Sequence, residues 1–157
     1  VSLCLCGGFL MALMVLAACQ REQPPRPDDP YRNVPAQDRE SLRAAVQQFA
    51  GFQVAQNWEK MYEVLEEPKE EKGRFLRRRA QATASLLQFY PTYAEWIPEF
   101  WTVTGCGVFQ LERGEPEKTL VASTRVKRKD DGWTLTPIGI EVFPDEPGHV
   151  KGCKAPR

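Results

Sequence analysis

The stretch Phe100-Trp-Thr-Val-Thr-Gly-Cys-Gly-Val-Phe-Gln-Leu111 decides the fold class, because here the period of the apolar residues changes to two. Its β-branched and aromatic residues favour a strand. The segment Arg113-Gly-Glu-Pro-Glu117 then predicts a turn, and Thr119–Lys129 alternates as a second strand. One side of that strand would carry Leu120, Ala122, Thr124 and Val126, and the other side Arg125 and Lys127.

A third strand is predicted at Trp133–Phe143, where the apolar residues are Leu135, Ile138, Ile140 and Val142. The preceding Asp131-Gly132 is a hairpin-turn signal, because both residue types tolerate the turn conformation. Pro137 cannot donate a ladder hydrogen bond, so it indicates an edge position or a bulge. Together the three segments predict an antiparallel meander.

Upstream of the strands, apolar residues recur at spacings of three and four, which predicts helices. The first helix would begin near Asp38, and its apolar stripe is Leu42, Ala45, Val46, Phe49 and Phe52. Asn57 is a predicted N-cap for a second, shorter helix. One face of that helix would carry Trp58, Met61, Tyr62 and Leu65.

A third helix is predicted at Glu70–Tyr90, ended by Pro91. Its inward stripe would be Leu76, Ala80, Thr83, Ala84 and Leu87. The following segment, Phe89–Pro98, is rich in aromatic residues and contains two prolines, which exclude a regular helix. We expect it either to cap the open end of the domain or to form a loop packed on the sheet.

Three helices followed by an antiparallel meander predict an α+β domain, with helices covering one face of the sheet. Two short motifs resemble the NTF2-like (cystatin-like, SnoaL-type) superfamily. Gln56-Asn-Trp-Glu-Lys-Met-Tyr-Glu-Val-Leu65 is similar to its second helix, and Asp130-Asp-Gly-Trp-Thr-Leu135 to one of its strands. The resemblance covers residues 38–143 and implies a cone, a curved sheet wrapped round helices. Trp58 and Trp133 would then meet inside the cone.

The N-terminal region carries an uncharged apolar run, Phe9–Ala18, that ends at Cys19. This run is ten residues long, whereas about 20 are needed to span a bilayer. Leu16-Ala-Ala-Cys19 resembles the lipobox of bacterial lipoprotein signal peptides at every position. The resemblance implies that residues 1–18 are a signal peptide, cleaved before Cys19, and that fatty acids such as palmitate anchor Cys19. An uncleaved membrane anchor is the alternative.

Residues 19–37 are predicted to form an extended tether between the lipid and the domain, because five prolines and scattered charges occur within 20–37. Residues 38–143 would form the domain and residues 144–157 a C-terminal tail. The lipobox resemblance implies a location in the cell envelope. Because Gln20 follows the cysteine, it implies the outer membrane, facing the periplasm, in a bacterium with two membranes.

Composition restricts the classes of partner. The residues after position 18 contain all 21 basic and all 21 acidic residues, and this balance argues against nucleic-acid binding.

Once Cys4 and Cys6 leave with the signal peptide and Cys19 takes lipid, Cys106 and Cys153 remain, and one disulfide between them is predicted. The alternative is that Cys106 is a small buried apolar residue and Cys153 is free. Two distant cysteines and one histidine exclude a tetrahedral zinc site, and no cofactor is expected.

No catalytic motif occurs in the chain. His149 is expected in a solvated tail, and the basic run at Arg74 and Arg77–Arg79 on a solvated helix face, with an anion site as the alternative. Glu99, Glu112 and Glu141 have no motif around them. The candidates for a pocket lining are aromatic: Trp58, Tyr62, Tyr90, Tyr93, Trp96, Trp101 and Trp133.

These observations favour a non-catalytic, lipid-anchored envelope protein that binds a partner protein or an apolar small ligand. The resemblance leaves one enzymatic alternative, a SnoaL or ketosteroid-isomerase type of enzyme acting on a small molecule in the cone. A third alternative, an accessory domain acting at the cell wall, depends on the expected location alone.

Overall fold

The computed structural model describes residues 28–66, 70–130 and 132–141, together with Cys153. Within these ranges the chain forms three helices followed by five strands. Several predictions fall outside the described residues, namely those for the signal peptide (1–18), for Cys19, for His149 and for the tail 144–157 other than Cys153.

Helix α1 (Ala36–Val54) supplies the helical side of the core. It begins after its N-cap Pro35, slightly earlier than the predicted start at Asp38. The missing N–H of proline costs no helical hydrogen bond at this position. Of the predicted stripe, α1 buries Leu42, Val46 and Phe49, whereas Ala45 and Phe52 are partly buried. Gln53, which was not predicted to face the core, is buried as well.

Helix α2 (Trp58–Glu63) has the predicted cap. The Asn57 side chain accepts a hydrogen bond from the Lys60 backbone N–H at 3.3 Å, which satisfies one free donor of the first turn. Met61 is the buried residue of this helix and belongs to the core. The Asn57 prediction is therefore confirmed.

Helix α3 (Lys72–Ala80) is shorter than predicted, because the helix predicted at Glu70–Tyr90 ends at Ala80. From Ser85 onward the chain is strand β1 (Ser85–Ile97), so the prediction is wrong in its second half. The segment Phe89–Pro98 is accordingly neither a cap nor a loop, since all of it except Pro98 lies in β1.

The five strands form one antiparallel sheet in the order β1-β2-β3-β4, and β5 pairs with β3 farther along the same edge. The bounds are β1 Ser85–Ile97, β2 Phe100–Gln110, β3 Lys118–Lys129, β4 Gly132–Leu135 and β5 Gly139–Ile140. Helices packed on one antiparallel sheet confirm the predicted α+β class. Pro91 lies in β1, which is an edge strand, where a missing backbone donor is tolerated.

The strand predicted at Trp133–Phe143 is split in two. Residues 136–138 separate β4 from β5, and Pro137 lies in this break, as expected for a proline near a sheet edge. The break is fixed from the helical side by Gln53. Its amide nitrogen donates to the Ile138 carbonyl, and its amide oxygen accepts from the Ile138 N–H, both at 2.9 Å.

The segment before α1 is packed on the domain, although residues 19–37 were predicted to be a tether. Tyr31 and Val34 are 2% and 1% exposed and belong to the core, so the domain begins before Asp38. Arg43 forms an ion pair with Asp29 at 2.9 Å and lies over the Tyr31 ring. Burial raises the pKa of the Tyr31 hydroxyl, an effect that Arg43 opposes.

The two faces of the sheet have different surroundings. Successive residues of a strand point to opposite faces, so the register assigns each residue to one of them. The face against α1, called here the helix face, buries Trp101 and Val103 of β2 and Ala122 and Val126 of β3. The alternate residues point to the other face, called here the outer face.

Candidate functional site

A groove of about 720 Å³ lies on the outer face. Strands β1, β2 and β3 and residues 136–141 contribute its lining. The lining residues are Tyr93, Glu95, Ile97, Phe100, Thr102, Thr104, Ser123, Arg125, Thr136, Pro137, Gly139, Ile140 and Glu141. Hydroxyl and charged groups thus alternate with a few apolar side chains, a mixture that suits a ligand with both polar and apolar parts.

Strand register arranges the groove floor in rows across the sheet. Thr102 of β2 pairs with Glu95 of β1 on one side and with Arg125 of β3 on the other. In the same way, Thr104 pairs with Tyr93 and Ser123. Directly paired residues point to the same face with Cβ atoms about 4.5–5.5 Å apart. The first row therefore places a carboxylate, a hydroxyl and a guanidinium side by side, and the second row adds further hydroxyls.

The charges of the first row are not neutralised within the described part of the chain. Neither Glu95 nor Arg125 forms an ion pair with another residue of that part. The Arg125 guanidinium instead lies over the Phe100 ring, 5.5 Å from its centroid. Because Arg125 is exposed, this contact favours a guanidinium position above the groove floor by only about 0.5–1 kcal/mol. The ring uses the face of the guanidinium and not its N–H donors.

Residues 136–141 form the wall of the groove opposite β1. The Thr136 hydroxyl accepts a hydrogen bond from the Arg125 backbone N–H at 2.9 Å, which attaches this wall to β3. The Glu141 carboxylate accepts a hydrogen bond from the Ser123 hydroxyl, so this second acid of the groove is already engaged. Ile97 and Ile140, from opposite walls, are each 39% exposed and give the groove two apolar contact points.

Cys106 and Cys153 lie at disulfide distance, with their Cα atoms 5.3 Å apart. Cys106 belongs to β2 and follows Thr104 along the outer face, where its side chain is buried. The pair therefore brings Cys153, from the C-terminal part of the chain, to the same face as the groove.

The seven aromatic residues proposed from the sequence are divided between the two faces. Tyr93 lines the groove, and Tyr90 pairs with Cys106 on the outer face. The other five lie elsewhere. Trp101 is part of the core, Trp58 and Trp133 pack against it, Trp96 contacts Trp101 with ring centroids 5.3 Å apart, and Tyr62 contacts Phe75.

The basic run of α3 has mainly structural contacts. The Arg79 guanidinium lies over the rings of Trp58 and Phe75, at 5.9 and 5.4 Å from the ring centroids. Burial and the neighbouring Arg78 lower the pKa of Arg79, against the opposing effect of Glu70. Arg78 itself forms an ion pair with Glu70. The run thus attaches α3 to α2 and to the loop before it.

Two negative findings apply to the described ranges only. They contain no group of three or more His, Cys, Asp or Glu residues that could hold a metal ion. They also contain no helix that combines the length and the apolar character needed to cross a membrane.

Sequence reasoning missed most of the groove, because its residues are polar members of alternating strands. Thr102, Thr104, Ser123 and Arg125 have the pattern of a solvated strand face, and only the pairing register shows that they form rows. The alternation at Thr119–Lys129, which placed Arg125 on the side away from the core, was the one usable signal.

Comparison with known proteins adds no relative. No protein-family model, curated protein or solved structure matches this chain. The groove and the N-terminal motif therefore have to support any functional conclusion by themselves.

Proposed function

We propose that the protein is a lipoprotein of the bacterial cell envelope, anchored through Cys19. The support is the Leu16-Ala-Ala-Cys19 motif at the end of a short apolar run. A single acyl chain binds a membrane only marginally, so stable anchoring needs two or more chains. Diacylglycerol on the Cys19 sulfur meets that requirement. Gln20 after the cysteine favours the outer membrane, facing the periplasm, where the organism has one.

The Cys19→Ser variant should remain an unprocessed precursor without lipid. A serine hydroxyl cannot form the thioether that holds diacylglycerol, and the signal peptidase of lipoproteins acts after that step. Metabolic labelling with a radioactive fatty acid measures the difference, with Cys4→Ser as the matched control that keeps its label. Equal label in wild type and Cys19→Ser would exclude the lipoprotein proposal.

We further propose that the domain is a non-catalytic binding module, and that the outer-face groove is its binding site. The observation that carries this proposal is the concave lining itself, in which five hydroxyl-bearing side chains, three charged ones and several apolar ones face one space of about 720 Å³. The sequence suggested an apolar ligand, but this lining favours a small ligand or partner segment with polar groups. Pockets of this volume hold small organic ligands.

The buried polar side chains support a binding role over an enzymatic one. Gln53 holds the Ile138 backbone with both ends of its amide, and the Thr124 hydroxyl donates to the Thr136 carbonyl at 2.6 Å. Both groups thus organise the wall of the groove. Of the groove carboxylates, Glu141 accepts from Ser123 and Glu95 is exposed. The SnoaL-type alternative would instead require a groove carboxylate poised against a second titratable group, and neither Glu95 nor Glu141 forms an ion pair within the described part of the chain.

Filling the groove tests this proposal. Thr102 lies in the middle of the groove floor, so Thr102→Trp should occupy the space without entering the core. Ligands found by screening the wild-type protein at about 100 times their Kd should raise its Tm by about 5–15 °C. They should leave the Tm of Thr102→Trp unchanged.

Gln47→Trp, an exposed substitution on α1, is the matched control and should respond like the wild type. Circular dichroism shows that both variants fold. Equal thermal shifts in the wild type and in Thr102→Trp would place the binding site elsewhere.

The NTF2-like cone remains our proposal for the fold family. Helices that precede a curved antiparallel sheet support it. Trp58 and Trp133 were expected to meet inside the cone, but each is only partly buried at the edge of the core, and their rings contact Arg79 and Arg128 respectively. In contrast with the ligand site implied by the resemblance, we place the ligand on the outer face of the sheet.

A further inference from the structure

The first row of the groove carries one negative and one positive charge at a defined separation. Glu95 and Arg125 both pair with Thr102, from opposite sides. Neighbouring strands lie about 4.7–4.9 Å apart, so the two backbones are about 10 Å apart. Neither side chain has an ion-pair partner among the described residues. The row therefore offers separate sites for a cation and for an anion.

On this basis we propose that the groove binds a di- or tripeptide with free termini, its amino group at Glu95 and its carboxylate at Arg125. This inference rests on the proposed binding function of the groove. An extended chain advances about 3.4 Å per residue, so two or three residues cover about 7–10 Å. That length spans the separation of the two strands that carry Glu95 and Arg125.

The chemistry of each group suits its terminus. Arg125 presents a planar fork of N–H donors, which matches a carboxylate with two parallel hydrogen bonds. Its position over the Phe100 ring limits its freedom before the ligand arrives. Glu95 accepts hydrogen bonds from an ammonium group, and the Thr102 hydroxyl between them can serve a peptide N–H or C=O. Ile97 and Ile140 provide contacts for an apolar side chain of the peptide.

Charge complementarity favours this ligand over other classes. A ligand with several negative charges would meet two carboxylates, Glu95 and Glu141, and only one cation, Arg125. A neutral polar ligand could replace the hydrogen bonds of water at Glu95 and Arg125, but it would bring no opposite charge to either group, and hydrogen bonds between charged partners are the stronger ones. A zwitterion satisfies both charges at once.

Isothermal titration calorimetry of the full chain in detergent tests the proposal, with the dipeptide Ala-Phe as the probe. Four forms are compared: free, N-acetylated, C-amidated and capped at both ends. Because Glu95 and Arg125 are exposed, removing either charge should weaken binding about three- to tenfold. Glu95→Gln should weaken the free peptide to the same extent but leave the N-acetylated form unaffected. Arg125→Gln should likewise weaken the free peptide but leave binding of the C-amidated form unaffected.

Glu112→Gln and Arg113→Gln remove one charge of each sign in the exposed β2–β3 turn and should change nothing. If the doubly capped peptide binds as tightly as the free one, and Thr102→Trp abolishes both, the zwitterion proposal fails while the groove remains a binding site. If no form binds at up to about 10 mM but screened compounds bind in the groove, the zwitterion proposal again fails alone. If neither peptides nor screened compounds respond to Thr102→Trp, both proposals fail.

Discussion

Phe49→Ala should lower the free energy of unfolding by about 3–5 kcal/mol, because it leaves a cavity in the centre of the core. Phe49 is 1% exposed and lies on the inward face of α1, against the sheet. A loss of this size is a large share of the total stability of a small domain. Urea titration of a soluble version without residues 1–19, followed by tryptophan fluorescence, measures it.

Phe52 provides the matched control, since it is the same residue type on the same helix but is only partly buried. Phe52→Ala should therefore cost clearly less than Phe49→Ala. An equal loss at the two positions would contradict the packing of α1 described above, because burial would then not explain the difference between them.

Cys153→Ala should lower the free energy of unfolding by about 4 kcal/mol under oxidising conditions. A disulfide between Cys106 and Cys153, 47 positions apart in the chain, restricts the unfolded chain, and loop-closure entropy gives a stabilisation of this order. Substituting Cys153 is preferable to substituting Cys106, whose side chain is buried in the sheet. Urea titration again gives the measurement.

Reduced wild-type protein is the control for this prediction and should match the variant. Mass spectrometry of the non-reduced protein should find the two cysteines in one linked peptide pair. Two freely alkylated thiols in protein that has not been reduced, or a Cys153→Ala variant as stable as the oxidised wild type, would contradict the linkage.

The central strands were predictable because their patterns are regular. The alternation within Thr119–Lys129 assigns Ala122, Thr124 and Val126 to one side, and the structure buries all three. The inward stripe of α1 was also predictable, because 3.6-residue periodicity is maintained over five turns from Ala36 to Val54. Both signals are local, so a single sequence contains them.

Strand β1 could not be recognised in the same way, because its alternation is interrupted. Its register against β2 shifts between Leu86 and Gln88 and again between Pro91 and Tyr93. Each shift inserts one residue and exchanges the faces, which removes the period of two. The apolar residues around Leu87 recur at helical spacing, which led to the helix prediction. Pairing with β2, a tertiary interaction, instead places these residues in a strand.

The groove was hidden for a related reason. Alternating polar residues predict an exposed face, but they do not tell which residues of three strands share a row. Glu95 comes from the strand that was misassigned, so its position beside Thr102 could not be inferred. The wall at residues 136–141 depends on the break near Pro137, which the sequence indicated only as an edge or a bulge.

We propose above all that the outer-face groove is the binding surface of a lipid-anchored domain. A photoreactive benzoylphenylalanine placed at single positions in the full chain, in intact cells, tests this most directly. Ile97 and Ile140 are each 39% exposed at the groove, and Val54 at the end of α1 is 40% exposed, so accessibility is matched. Mass spectrometry of the purified protein after illumination should find the same discrete adduct mass at positions 97 and 140 and none at position 54. Adducts that are equally abundant at all three positions, or that occur only at position 54, would show that the groove is not the binding surface.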